Sequence, residues 1–278
     1  MAHDTASKGE TAGLRRKEGL AILSALQFAT RLPLPDPGWE AGRMTRAAPW
    51  LPLAGVIAGS IAATVLLMAA LVLPMPVAAG LALASLLALT GALHEDGFAD
   101  LADAAGAWAS RERALEIMRD SRNGTFAVLA LILLIGLRWQ ALAGLTPHAA
   151  SIALIAAAAL GRMAMLAVMR HPGPARANGL AAGLLSADGD EEIARRLPRR
   201  LALSIIVVVS AAVLLLGHGG VAAALAALVA AVAVAVIAHR RLGGHTGDSL
   251  GAAAAAGETA ALLALVVWSP SWSPVGPG

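Results

Sequence analysis

Long apolar blocks alternate with charged connections along this chain. A bilayer crossing takes about 20 predominantly apolar residues, roughly 17–25. Seven blocks reach that length: 51–73, 77–93, 125–143, 149–169, 201–217, 221–238 and 250–268. The pattern predicts an all-α, polytopic integral membrane bundle of about seven transmembrane helices in a single domain, 1–278. Three connections are very short: Pro74-Met75-Pro76, Gly144 to His148, and His218-Gly219-Gly220. The other connections are long and charged, so short and long alternate and all the long ones fall on one side of the membrane. No internal repeat and no second domain is visible.

The first 50 residues form a charged segment of their own. Arg15-Arg16-Lys17 precedes a short apolar stretch, Leu20 to Phe28, in the manner of a signal sequence. Ser24 and Gln27 interrupt that stretch and no small-residue cleavage site follows. An interfacial amphipathic helix is predicted there, with Leu20, Leu23 and Leu26 on its apolar side.

Composition supports this picture. Apolar residues make up 58% of the chain and the mean hydropathy is +0.72, against about 45–50% apolar for soluble domains. An Ala-rich soluble bundle is the alternative, and 201–216 and 221–238 are too continuously apolar for it. There is no cysteine, which excludes disulfides, thiolate metal sites and Cys nucleophiles. The net charge is +3 and the pI about 10.5. No nucleic-acid motif accompanies that charge, so it points to loops facing anionic lipid.

Charge placement orients the bundle. Of the 21 Lys and Arg, all but Arg138 and Arg162 fall in 1–50, 94–124, 170–200 and 239–249. Positive loops stay inside, so the N-terminus is predicted inside, the C-terminus outside and the charged face cytoplasmic. Trp50, Trp139, Trp268 and Trp272 fall near span ends, as interfacial anchors do.

Against that basic background one connection is acidic. The loop 94–124 holds seven acidic residues and four Arg, a local net of −3. It opens with His94-Glu95-Asp96-Gly97-Phe98-Ala99-Asp100-Leu101-Ala102-Asp103. Asp96, Asp100 and Asp103 have spacing i, i+4, i+7 and share one face of a helix. A solvated acidic helix is the plain reading. A hard divalent cation is the functional one, because an oxygen-only ligand set suits Mg²⁺ or Mn²⁺ and not zinc or copper. Glu95 lies just off the face, and His94 is a ligand or a hydrogen-bonding group.

The same loop ends Arg119-Asp120-Ser121-Arg122-Asn123-Gly124. Asp120 adds a carboxylate, and Arg119 and Arg122 can grip phosphate oxygens, though Asn-Gly is also an ordinary turn. A third segment, Gly243 to Gly251, contains His245, Thr246 and Asp248 and opens the last span. Its glycines admit close backbone approach and its helix N-terminus offers amides to an anion; a capped turn is the simpler alternative. Glu258 follows inside that span, and an intramembrane carboxylate is a functional candidate. Arg162 can pair with Glu258, with a loop carboxylate or with a substrate phosphate. Arg138 is expected to snorkel to the interface. Asn178, in the loop after the fourth span, is a further candidate for shaping a substrate site. No serine triad, Walker loop or dinucleotide fingerprint is present, and Tyr is absent, so direct metal-assisted transfer between two bound substrates is favoured over covalent catalysis.

These residues resemble the cobalamin synthase family, the adenosylcobinamide-GDP ribazoletransferases, over most of the chain. Phe28-Ala29-Thr30-Arg31-Leu32-Pro33 resembles the family's early motif. His94 to Asp103 resembles His-x-Asp-Gly-x-Ala-Asp-x-x-Asp, with Glu95 where an apolar residue is common. Arg113 to Gly124 and Gly244 to Gly251 resemble two later motifs. The resemblance implies Mg²⁺-dependent joining of adenosylcobinamide-GDP to α-ribazole or its 5′-phosphate, with GMP released, in the bacterial inner membrane. It places Asp96, Asp100, Asp103 and Asp120 at the metal with Glu95 beside them, and Asp248 at the same or a second site. Arg119, Arg122 and Arg162 would hold phosphates, with His94, His245, Thr246, Glu258 and Asn178 in the surrounding substrate site. A homo-oligomer, or a complex with other corrinoid-pathway enzymes, is compatible with the sequence. Two rivals are weaker. The CDP-alcohol phosphotransferases need Arg where Asp100 stands, and an ion-coupled transporter would carry its charges nearer the bilayer midplane.

Overall fold

The computed structural model describes residues 2–38, 40, 42–120, 122–170, 173, 175 and 191–268. Asn178 lies outside them. Ten α-helices are described: α1 (Ala2–Ala29), α2 (Arg43–Ala47), α3 (Leu51–Ala70), α4 (Met75–Thr90), α5 (Leu93–Gly106), α6 (Arg111–Ile117), α7 (Thr125–Ala143), α8 (Pro147–Met169), α9 (Glu191–Leu242) and α10 (Gly247–Val267). A 3₁₀ turn, Ala48–Trp50, joins α2 to α3. Among the described residues there is no strand.

Local chemistry sets several helix starts. Proline occupies the first turn of α3, α4 and α8, where its missing N–H and fixed φ cost nothing. Thr146 caps α8 by accepting from the Ala149 amide. Gly91 (φ 64°) ends α4 in the left-handed region, and Ala92 (φ 54°) follows it there. Two successive left-handed residues bend the chain by 88° between α4 and α5. The predicted span 77–93 is therefore broken near its end. Its last residue, Leu93, instead begins a second helix.

Length and composition qualify five helices as bilayer crossings, and a sixth if α4 and α5 count as one broken span. One of the five, α9, has 52 residues. Straight, it would measure about 78 Å at ~1.5 Å per residue, far beyond a hydrocarbon core of about 30 Å. It is not straight: Gly217 (φ 56°, ψ −131°) breaks it. A Cβ on Gly220 would overlap the Ala212 carbonyl, so the chain doubles back at this point. The predicted short turn at 218–220 falls at this fold. The seven predicted blocks thus correspond to α3, α4 with α5, α7, α8, the two limbs of α9, and α10.

The centre of the bundle is α8. It has 78% of its apolar window buried, against 28% for α7. It packs on α3, α9 and α10. Small residues make this possible, since lipid gives apolar side chains no reason to prefer protein and close backbone contact must supply the attraction. Gly55 and Gly59 of α3 lie against Ala158 and Ile155, and Gly161 lies against Ala254 and Glu258 of α10. Large apolar residues such as Ile132, Leu133, Leu214 and Val229 are exposed, as lipid-facing positions of a membrane bundle are.

Candidate functional site

Helix α5 is held in close backbone contact with α10. A Cβ on Gly97 would overlap the Asp248 backbone, and Gly251 faces the Leu93 carbonyl and His94. That crossing brings the acidic turn of α5 to the start of α10. Asp96, Asp103 and Asp248 all lie within electrostatic reach of the half-buried Asp100. The charges acting on Asp100 are all negative.

The start of α10 is well determined. Thr246 Oγ1 accepts from the Ser249 amide at 3.1 Å and Ser249 Oγ accepts from the Thr246 amide at 2.8 Å. This reciprocal capping box commits the Thr246 hydroxyl to the helix. His245 is buried, and its backbone pairs with Gly173 and Ala175 (3.2 and 2.8 Å). The segment 243–246 therefore acts as a rigid mount for Asp248.

The other predicted carboxylates have different surroundings. Asp103 accepts from the amides of Gly124 (2.5 Å) and Ala127 (2.8 Å). It caps α7, where amides and helix dipole favour an anion. Asp120 is exposed and takes Arg122 in a two-pronged pair, 3.0 and 2.7 Å. That guanidinium and the Arg122 amide hold the Asp120 carboxyl down to about 2. Glu95 points away from the rim and into the bundle, where Arg138 Nη1 donates to it at 2.7 Å.

Arg138 does not snorkel. It is 1% exposed and every arm is engaged. Nη1 also pairs with Glu258 at 3.3 Å, Nε donates to Thr259 Oγ1 at 2.8 Å, and Nη2 donates to the Ala255 carbonyl at 2.8 Å. Depth in the span suggested an interfacial tip. The direction of the residue around the helix, which the sequence does not give, turned it inward. Arg162 pairs with the other oxygen of Glu258 and meets His94 Nδ1 at 3.3 Å. Two arginines and two glutamates thus balance inside the bundle, linking α5, α7, α8 and α10. Arg162, Glu258 and His94, expected around the substrate, are buried and engaged with one another. Glu95 Oε2 and Arg162 Nε remain buried without a hydrogen bond.

A cavity of about 380 Å³ opens beside the acidic rim, lined by Asp103, Arg113, Asp120, Arg122 and Phe126 among others. Arg113, whose exposed side chain pairs with Glu116 at 2.9 Å, is a lining cation that the sequence reading did not single out. Its place within the 113–124 segment was the available signal. Arg119 is exposed but does not line the cavity. Among the described residues, no three acidic or imidazole groups stand close enough to enclose a metal ion as they are. The donor chemistry still suits a hard cation: Asp96, Asp100 and Asp248 offer only oxygen, at a place where negative charge faces negative charge.

Comparison with known proteins places the chain. No solved structure matches it. An adenosylcobinamide-GDP ribazoletransferase of Sinorhizobium medicae is 40% identical over 88% of this chain and 95% of its own length. One of Bradyrhizobium diazoefficiens is 42% identical over 86% and 90%, and one of Azorhizobium caulinodans 38% over 88% and 95%. The pattern defining cobalamin-5-phosphate synthases covers residues 21–266, so the chain belongs to the cobalamin-5-phosphate synthase family.

Proposed function

We propose that this protein is an adenosylcobinamide-GDP ribazoletransferase. It joins adenosylcobinamide-GDP to α-ribazole, or to its 5′-phosphate, and releases GMP. The observation that carries this reading is the meeting of Asp96, Asp100 and Asp248 at one rim, next to a cavity with Arg113 and Arg122 in its wall. Relatives named for this reaction share about 40% of their residues with the chain over nearly its whole length.

The chemistry sets what the residues must do. A ribazole hydroxyl oxygen bonds to the phosphorus attached to cobinamide, and the bond from that phosphorus to the GMP oxygen breaks. GMP leaves with the electron pair, and the hydroxyl proton passes to a carboxylate of the rim. Arg113 and Arg122 lie where they can hold phosphoryl oxygens as charge spreads over them. Asp96, Asp100 and Asp248 would hold Mg²⁺, with Mn²⁺ as a substitute. When bound, the ion would offset negative charge developing on the phosphoryl oxygens in the transition state. Asp103 keeps α7 in register with α5 and so fixes one wall of the cavity. At about 380 Å³ the cavity suits a fragment the size of a nucleotide head. The corrinoid would remain outside it.

The acidic rim faces the cytoplasm of a bacterial inner membrane in this reading, because the basic segments flank it. The test is GMP release by purified protein with defined substrates. Release should need both substrates, stop on chelation and return with added Mg²⁺. Asp100→Asn and Asp248→Asn should each lower turnover by roughly 100- to 1,000-fold, as expected when the stabilisation of transition-state charge is lost, with the helical content unchanged. Wild-type turnover by either variant would overturn the assignment.

A further inference from the structure

A second cavity, of about 350 Å³, lies away from the acidic rim where α1, α2 and the start of α9 meet. Five cations line it: Lys17, Arg46, Arg196, Arg199 and Arg200. Two acids in its wall offset part of that charge. Glu18 pairs with Arg200 at 2.7 Å and Glu192 with Arg196 at 2.5 Å, while Arg46 pairs at 2.6 Å with Glu40 outside the wall. Among the described residues neither Lys17 nor Arg199 has an acidic partner. The cavity therefore keeps a surplus of positive charge.

Directly adjoining it, an apolar groove of about 370 Å³ runs between α3 and the first limb of α9. Arg200 lines both spaces. The groove walls include Trp50, Leu53, Leu203, Val207 and Ala211. Leu203 and Val207 are more than half exposed. This limb of α9 leans on the 3₁₀ turn, where Ser204 Oγ donates to the Pro49 carbonyl at 2.7 Å, and a slot is left beside α3. Trp50 stands at the junction, its Nε1 donating to Glu18 at 2.9 Å. The order of surfaces is cationic, then aromatic with a polar tip, then aliphatic. That is the order of groups in a phospholipid entering a bilayer.

We propose that this composite site holds one anionic phospholipid, with its phosphate among Lys17, Arg196 and Arg199 and an acyl chain along Leu203 and Val207. Charge complementarity selects an anionic head, and the exposed aliphatic groove selects a tail. A soluble nucleotide phosphate would satisfy the first half of the site and leave the second empty. The inference stands apart from the transfer reaction, since none of these residues lines the acidic rim.

The experiment is native mass spectrometry of the full chain in detergent, titrated with phosphatidylglycerol or phosphatidylcholine of identical acyl chains. Wild type should retain one phosphatidylglycerol at least 10-fold better than phosphatidylcholine. The variant Arg196→Gln/Arg199→Gln should lose about 10-fold or more of that preference, each charge near a membrane surface being worth roughly 5-fold. The equally charged control Arg195→Gln/Arg240→Gln, outside the cavity, should keep it. Leu203→Gln/Val207→Gln should weaken both lipids together. Thermal unfolding in lipid-free detergent checks that each variant folds, and Lys17→Gln, at an exposed position, replaces any that does not. Equal retention of the two lipids by wild type would overturn the proposal. So would a matching loss in the control, or displacement of phosphatidylglycerol by GDP.

Discussion

Glu258 serves two arginines at once. One carboxylate oxygen meets Arg162 and the other Arg138. The sequence offered Glu258 as one of three partners for Arg162, beside a loop carboxylate and a substrate phosphate. It did not mark Arg138, Glu95 or Thr259 as part of the same group, because facing direction depends on how four helices rotate. Removing one partner from such a group strands a buried charge, at a cost of about 3–5 kcal/mol. Arg138→Gln should therefore lower the thermal midpoint in detergent markedly. The nearby Trp139→Phe, which gives up one partly exposed hydrogen bond to the Pro76 carbonyl, should lower it far less. Equal midpoints for the two variants would contradict a buried network. Asp120 behaves in the opposite way. Arg122 holds its carboxyl at about 2, below the ordinary 3.8. The contribution of that pair is present above about pH 4 and is lost only as the pH falls toward 2. Between pH 5 and 9 the pair does not titrate, so the pH–rate profile of Asp120→Asn should parallel that of wild type. A wild-type inflection between pH 5 and 9 that disappears in Asp120→Asn would show that Asp120 titrates there instead.

Helix boundaries were legible where local chemistry writes them. The spans of α3, α7, α8 and α10 follow their apolar blocks, and the predicted turn at 218–220 coincides with the fold in α9. The bend between α4 and α5 was not legible. The run 77–93 is continuously apolar, and a left-handed Ala92 has no sequence signature. It is supported from outside the helix, where the Arg31 amide donates to the Leu89 carbonyl at 2.7 Å and the Arg31 guanidinium lies over Gly91. The bend aims α5 at α10, and Gly97 lets the two touch. Gly97→Ala would push a methyl into the Asp248 backbone and separate the acids. It should cost at least 10-fold in turnover, since displacements near 1 Å carry penalties of order 100-fold. Gly136 of α7, which has open space around it, is the matched control. Gly136→Ala should leave activity intact and gain up to about 1 kcal/mol of helix propensity. Similar losses in both variants would mean that close approach is not what places Asp248.

At the scale of the whole molecule, charge asymmetry is what supports the proposed orientation of the bundle. Nineteen of the 21 Lys and Arg fall in the long connections that the alternation of short and long links assigns to one side, and the two exceptions are paired with glutamates in the interior. Turning the bundle over would carry those segments across the membrane against the rule that keeps Lys and Arg inside. It would also place the acidic rim where cytoplasmic nucleotides and Mg²⁺ do not reach. A chain with no cysteine makes the orientation directly measurable. Single cysteines at Val72 and His148, both exposed, report the face with short connections. Glu116→Cys and Arg240→Cys, also at exposed positions, report the acidic and basic face. In intact cells whose outer membrane has been opened, a membrane-impermeant maleimide should label the first pair at once. It should label the second pair only after the inner membrane is permeabilised. The reverse pattern would place the rim outside the cell and remove the physical basis for nucleotide transfer there, whatever the activity of the detergent-purified protein.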